Sequence, residues 1–171
     1  MNRRLHLLNG LVVISLLSGC MGYQLGGSRP AGIEAVTLAP VINKTTEPAI
    51  ELQITHAMRE RIQFDGRMEL VNMPEAADAV IEIVLTNYHF TPIAYRNRGK
   101  ESSTPSLYRI RIDGNAQLID AKNGNIISTS KTYGESVFEF QADLTSSKRN
   151  ALPEAAKEIA KFILDDLIEQ W

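Results

Sequence analysis

Cysteine is almost absent from this sequence, and an excess of charge of either sign is absent as well. The 171 residues include a single cysteine, Cys20, so the chain cannot form an internal disulfide. With 18 basic and 20 acidic residues the net charge is −2, which excludes the strongly basic balance of most nucleic-acid-binding proteins. The composition, 44% hydrophobic and 22% charged, is typical of one globular domain.

Motifs for catalysis and for metal binding are also missing. Of the three histidines, His6 lies in an apolar N-terminal run, His56 in a predicted helix and His89 at the end of a predicted strand. None has further ligands at a spacing that would complete a metal site. The sequence contains neither a glycine-rich phosphate loop nor a nucleophile elbow. We therefore predict a binding or scaffolding protein, not an enzyme, with no bound metal or cofactor.

The N-terminus has the organisation of an export signal. Arg3 and Arg4 precede the apolar run at 5–17, which is shorter than the roughly 20 residues needed to span a bilayer as a helix. The sequence Leu17-Ser18-Gly19-Cys20 at its end resembles the lipobox of bacterial lipoproteins. In such proteins the cysteine receives a diacylglycerol, and an N-acyl chain is added after cleavage. The alternative is an ordinary signal peptide followed by a cysteine that is buried in the core.

The lipobox divides the chain into three parts. Residues 1–19 are the predicted signal peptide, residues 20–32 the lipidated N-terminus with a flexible glycine-rich tether, and residues 33–171 one folded domain. Several acyl chains on Cys20 would anchor the protein stably, since each buried methylene contributes about 0.8 kcal/mol. In enterobacterial lipoproteins an aspartate after the cysteine retains the protein in the inner membrane. Met21 stands here, so the resemblance implies the outer membrane of a Gram-negative bacterium.

Hydrophobic periodicity beyond residue 32 predicts an α+β domain. The pattern indicates strands at 34–41, 79–85, 108–118 and 126–140, a short segment at 68–71 before the second of these, and a polar loop at 96–106. An amphipathic helix is predicted from Pro48 to Phe64, and a final helix presents apolar residues from Leu152 to Leu167. The simplest packing is a two-layer sandwich, in which a mixed sheet of about four or five strands carries two helices on one face. The acids of the final helix are predicted to form a hydrated face: Glu154, Glu158, Asp165 and Asp166.

Five basic residues form the densest cationic region after the signal peptide. Arg96, Arg98 and Lys100 lie in the predicted loop, and Arg109 and Arg111 lie on the polar side of the following strand. A reversal of the chain near Thr104-Pro105 would bring the two groups together. Guanidinium and ammonium groups bind phosphates, so the cluster is a candidate site for a phosphorylated ligand. The alternative is that these are ordinary solvated charges.

Several segments together resemble the LptE family of outer-membrane lipoproteins. They are Gly22-Tyr23-Gln24-Leu25 behind the lipobox, PVINKTTEP at 40–48, ADAV at 77–80 and the apolar final helix ending in Trp171. The resemblance implies a lipoprotein that plugs the LptD β-barrel and helps to assemble lipopolysaccharide at the cell surface. It makes the five basic residues candidates for contact with lipopolysaccharide or with the polar wall of the barrel. The turn before the first helix also resembles LpoB-like activators of peptidoglycan synthases, which usually have a long linker after the cysteine.

Overall fold

A mixed sheet and two helices make up the described chain. The structure is a computed structural model that describes residues 30–97, 103–140 and 143–169. Within these ranges, neither helix has the length and apolar character needed to cross a membrane. The predicted signal peptide, Cys20 and most of the predicted tether lie outside them. The elements are β1 Ala35–Leu38, β2 Ile42–Asn43, α1 Ile50–Asp65, β3 Glu69–Leu70, a 3-10 turn at Pro74–Ala76, β4 Ala79–Asn97, β5 Ser103–Asp120, β6 Ile126–Glu139 and α2 Leu144–Ile168.

The strand order is β3-β1-β4-β5-β6, with β2 also paired to β4. β1 runs parallel to β3 and β4, and β2 runs parallel to β4. β4, β5 and β6 form an antiparallel meander, so β6 is an edge strand. The predicted α+β class with a mixed sheet and two helices is therefore confirmed. The described sheet has six strands, whereas about four or five were predicted. Two of the six, β2 and β3, are only two residues long, which is too short for a periodic signal.

The core lies between the helices and one face of the sheet. The apolar positions predicted for the first helix are the buried residues of α1, namely Ile50, Ile54, Ala57, Met58 and Ile62. On β5, Ile110, Ile112, Ala116 and Leu118 are buried, as their alternation predicts. The first helix begins at Ile50 and not at Pro48, since Ala49 adopts a left-handed backbone with φ of 61° and interrupts the helical path.

The predicted polar loop at 96–106 is wrong over most of its described length. Arg96 pairs with Thr104 and Asn97 with Ser103 as part of a long β4–β5 hairpin. The chain therefore reverses between 97 and 103, not near Thr104-Pro105. Prolines made this region resemble a loop, yet register shifts beside Pro92 let the strands continue. Bulges of this kind release local ladder hydrogen bonds, which is why sheets tolerate proline near them.

Helix α2 packs unusually close to β6. A Cβ atom built on Gly134 would lie 2.4 Å from the backbone oxygen of Ala155 and 2.4 Å from the backbone nitrogen of Ile159. The hydroxyl of Ser128 donates to the carbonyl of Leu167 at 2.8 Å. Small and hydroxylated residues on the inner side of β6 thus let a helix backbone lie directly on the strand. The helix also starts earlier than its apolar periodicity indicated, at Leu144.

The four acids of α2 lie on its solvent-accessible side, as predicted, since Glu154 and Asp166 are exposed and Glu158 and Asp165 are half-buried. Glu154 lies on the exposed side, where it pairs with Lys157 at 3.1 Å. The other three bind groups on neighbouring elements and tie the helix to the rest of the fold. Their contacts are Glu158 with the backbone N–H of Glu135, Asp165 with Arg61 at 2.9 Å, and Asp166 with the hydroxyl of Ser130 at 2.6 Å.

Candidate functional site

Two of the predicted basic residues lie together on the bare face of the sheet, opposite the helices. Arg109 Nε is 3.5 Å from Glu135 Oε2, and Arg111 Nε donates to Asp113 Oδ1 at 2.9 Å. The guanidinium of Arg111 also lies over the ring of Tyr133, 3.6 Å from its centroid. The hydrogen bond to Asp113 raises the pKa of Arg111. Both cations are offset by neighbouring carboxylates, which makes this face a mixed-charge surface and not a free cationic patch.

Arg96 occupies a different place from Arg109 and Arg111. Its partner in the ladder, Thr104, stands five residues before Arg109 on β5, a separation of about 17 Å along the strand. Arg96 lines a cavity of about 290 Å³ together with Tyr108, whose ring belongs to the helix side of the sheet. The structure therefore does not bring Arg96 together with the other two arginines. Arg98 and Lys100 lie outside the described residues.

An aromatic cluster, which the sequence analysis did not identify, surrounds this cavity. The rings of Phe90 and Tyr108 stack with centroids 4.9 Å apart and planes inclined by 3°. Phe138 stacks against both, at 6.1 Å and 5.8 Å, and Phe140 lies 6.5 Å from Tyr108. Ring contacts of this kind stabilise by about 0.5–1.5 kcal/mol beyond burial. The four rings come from three strand regions, so only strand alternation together with the correct register could have predicted them.

The exposed part of this cluster is amphipathic. Phe140 is 46% exposed. Among the residues that the structure describes, no carboxylate lies within ion-pair distance of Arg96. Within this part of the chain, a cation without an acidic partner therefore lies beside an exposed aromatic ring near the tip of the β4–β5 hairpin. That combination suits a ligand with both anionic and apolar parts.

A second cation lies near this end of the sheet, where α2 begins. Lys148 Nζ forms an ion pair with the carboxylate of Glu47 and is 5.3 Å from the centroid of Tyr88. Burial raises the pKa of the Tyr88 hydroxyl, which has no hydrogen-bond partner among the described residues. This lysine joins α2 to the turn before α1. The charge of Lys148 is therefore compensated by Glu47 within the fold.

Conspicuous polar residues of the sequence segments at 40–48 and 77–80 have structural roles: Asn43 holds the turn before α1, and Asp78 joins β4 to the start of β1. Asn43 Oδ1 accepts the backbone N–H of Thr45 at 2.9 Å, and Asn43 Nδ2 donates to the carbonyl of Glu47 at 2.9 Å. Asp78 Oδ2 accepts the N–H groups of Glu34 and Ala35, which lowers the pKa of Asp78. These side chains position β1 and α1. In the part of the chain described, no three acidic, histidine or cysteine side chains are placed to hold a metal ion.

Comparisons with known proteins place the chain in a family. A search of curated proteins gave no match. Among solved structures, lipoprotein B from Nitrosomonas europaea is 18% identical with a TM-score of 0.50, covering 84% of this chain and 88% of its own. Protein XCC0632 from Xanthomonas campestris is 9% identical with a TM-score of 0.51, covering 82% and 90%. These likenesses concern the fold alone. The family model described as LptE, lipopolysaccharide-assembly, matches residues 33–168, and the chain therefore belongs to the LptE family of lipopolysaccharide-assembly lipoproteins.

Proposed function

We propose that this lipoprotein is a non-enzymatic partner of an LptD-type outer-membrane β-barrel and assists the assembly of lipopolysaccharide at the cell surface. The family match over residues 33–168 is the observation that carries the proposal. Acyl chains on Cys20 would hold the protein at the outer membrane, and the folded domain would plug the lumen of the barrel. The lumen of a transmembrane barrel is polar, so a plug must present a polar surface to it.

The bare face of the sheet supports this role. Its two arginines are matched by carboxylates, with Arg109 against Glu135 and Arg111 against Asp113 and Glu135. These two cations can contact a polar wall without being buried uncompensated, which would cost several kcal/mol. We assign Arg109 and Arg111 to barrel-wall contact for this reason.

The hairpin tip supports contact with lipopolysaccharide. Arg96 stands beside Tyr108 and Phe140, so the site offers a phosphate-binding group next to apolar surface. Lipid A has the same two kinds of group, phosphates and acyl chains. Arg98 and Lys100 follow Arg96 directly in the sequence and would add to the positive charge. We assign these three residues to contact with lipopolysaccharide.

Affinity purification of the tagged, lipidated protein from solubilised outer membranes tests the partner. We expect a large β-barrel protein to co-purify in stoichiometric amount. Replacing exposed Asn115 on the bare face by Trp should lower the recovery of the barrel, because a large ring holds the face away from the wall. Asn123→Trp, in the β5–β6 turn at the membrane-tether end, is the matched control and should not. Recovery of a penicillin-binding protein in place of a barrel would contradict the proposal and support the activator function.

A further inference from the structure

One long edge of the sheet is open. β6 pairs with β5 on one side, and within the described residues no strand pairs with its other side. Edge strands of this kind accept an additional strand unless charges, prolines or covering elements prevent it. Because α2 lies above β6, the backbone groups along this edge differ in their accessibility.

The hydrogen bonds of β6 identify the residues that face the open edge. The backbone N–H of Glu135 donates to the Glu158 carboxylate and thus points away from β5. In an antiparallel ladder, residues two apart share the same direction. The register is unbroken from Glu135↔Arg111 to Glu139↔Leu107, so Val137 and Glu139 also direct their N–H and C=O groups outward. No described group binds these outward N–H and C=O groups.

A groove lies beside these backbone groups. It has a volume of about 680 Å³ and runs between residues 135–139 of β6 and residues 147–162 of α2. Its wall includes Phe138 and Phe162, and Val137 is 53% exposed beside it. Its lining carries charges of both signs: Glu154 is paired with Lys157, whereas Glu139 and Lys161 have no ion-pair partner in the described chain. A groove between an edge strand and a helix is a recurring site for peptides that bind by strand addition.

We propose that the groove between β6 and α2 binds an extended segment of the barrel partner, which adds to the sheet along Val137 and Glu139. The inference rests on the proposed function, since it takes the barrel as the source of the segment. Charge complementarity requires a basic residue on the segment opposite Glu139 and an acidic one opposite Lys161, and the Phe138–Phe162 wall requires an apolar one. A segment exposed to the polar lumen can provide a backbone free to pair, which the closed wall strands of a barrel cannot. Glu158 blocks the edge at Glu135, so pairing begins at Val137.

Proline substitution tests the backbone pairing directly. Val137→Pro removes the outward N–H and leaves the β5 ladder intact, because the Val137 N–H does not bond to β5. We expect at least a tenfold lower recovery of the barrel with the tagged, lipidated variant. Val137→Ala, which keeps the N–H, should recover the barrel within twofold of the wild type.

The outcomes separate the inference from the proposed function. Equal recovery of the barrel with Val137→Pro and wild type would overturn the inference and leave the proposed function standing. Failure of the wild type to recover a barrel would overturn the proposed function. If Val137→Pro lowers the melting temperature, a photo-crosslinking residue at position 161, in the groove lining, decides. Crosslinking to the barrel from 161 but not from 123, in the β5–β6 turn, supports strand addition, and equal crosslinking from both positions contradicts it.

Discussion

At the scale of single residues, surroundings distinguish arginines that the sequence presents as equivalent. Arg111 is bonded to Asp113 at 2.9 Å and stacked on Tyr133, so its charge is already compensated. Arg96 has an aromatic neighbour, Tyr108, in the same cavity and lacks a described carboxylate partner. Charge-assisted contacts to phosphate are strongest for a guanidinium that is free to bind in a bidentate manner. Arg96 therefore ranks above Arg109 and Arg111 as a contact for an anionic ligand.

Reversal of this charge should weaken binding of lipopolysaccharide. We expect Arg96→Glu to lower the affinity roughly 10-fold to 100-fold, since a charge-assisted hydrogen bond contributes about 1.5–3 kcal/mol. The loss should diminish at high salt, because screening reduces both attraction in the wild type and repulsion in the variant. Lys122→Glu makes the same charge change in the β5–β6 turn, where Lys122 is 80% exposed, and should bind as the wild type does. Equal affinity of Arg96→Glu and wild type would show that Arg96 is an ordinary surface charge.

At the scale of elements, α2 holds α1 and the sheet together. Its C-terminal end is clamped to α1 through Arg67, which binds Asp65 at 2.6 Å and Glu169 at 3.1 Å. The hydrogen bond from Arg67 lowers the pKa of Asp65, so the Asp65–Arg67 pair persists in mildly acidic conditions. Its middle lies directly on β6 at Gly134. The close packing at Gly134 also fixes the distance between α2 and β6. As a result, α2 forms one wall of the groove beside Val137.

The close approach predicts a large effect of adding one methyl group. Gly134→Ala should destabilise the protein by about 3 kcal/mol, at the upper end of the usual cost of overpacking, because the new Cβ meets helix backbone atoms that cannot rotate away. Gly114→Ala on the neighbouring strand is the matched control. Its Cβ would lie 3.2 Å from Ile159 Cδ1, the flexible end of a side chain, so a loss of about 1 kcal/mol or less is expected. Denaturant unfolding of the detergent-solubilised lipoprotein, followed by circular dichroism, measures both values. Similar losses for the two variants would contradict the close approach.

At the scale of the whole molecule, the two ends of the sheet differ. The described chain begins at residue 30, and β1 starts beside Asp78 at one end of the sheet. The hairpin tip with Arg96 lies at the opposite end, beyond the aromatic cluster. A tether of about ten residues, spanning at most about 35 Å when extended, would keep the first end near the membrane. If Cys20 carries the predicted acyl chains, its position determines which end of the domain is held near the lipid.

Substitution of the anchor tests this arrangement. Cys20→Ala should leave the precursor unprocessed at this position, abolish labelling with palmitate and move any mature form into the soluble periplasmic fraction. A single cysteine makes the result unambiguous, since the chain has no other thiol to acylate. Met21→Ala changes the adjacent residue and retains the lipobox, so it should be labelled and sedimented with the membranes. Palmitate labelling that persists in Cys20→Ala would show that another residue is modified.

Some of these features could be predicted from local pattern, and others could not. The buried stripe of α1 follows from apolar residues at helical spacing, and the two faces of β5 follow from strict alternation. The pattern failed at Pro92 and Pro105, because a bulge that accommodates a proline depends on the neighbouring strand. Local pattern placed the acids of α2 on the solvent side but could not predict their contacts. Asp166 accepts a hydrogen bond from Ser130, which is 36 positions away in the sequence.

The sequence by itself determined the lipobox cysteine, the α+β class and the faces that α1 and β5 turn toward the core. These features depend on near neighbours in the chain, through helical spacing, strand alternation and contiguous motifs. Only the tertiary structure decided that Arg96 is separated from Arg109 and Arg111, that four rings form one cluster, and that Val137 faces an open edge. The register between strands and the position of a helix above them fix these relations. They depend on contacts between residues that are far apart in the chain, which local periodicity does not specify.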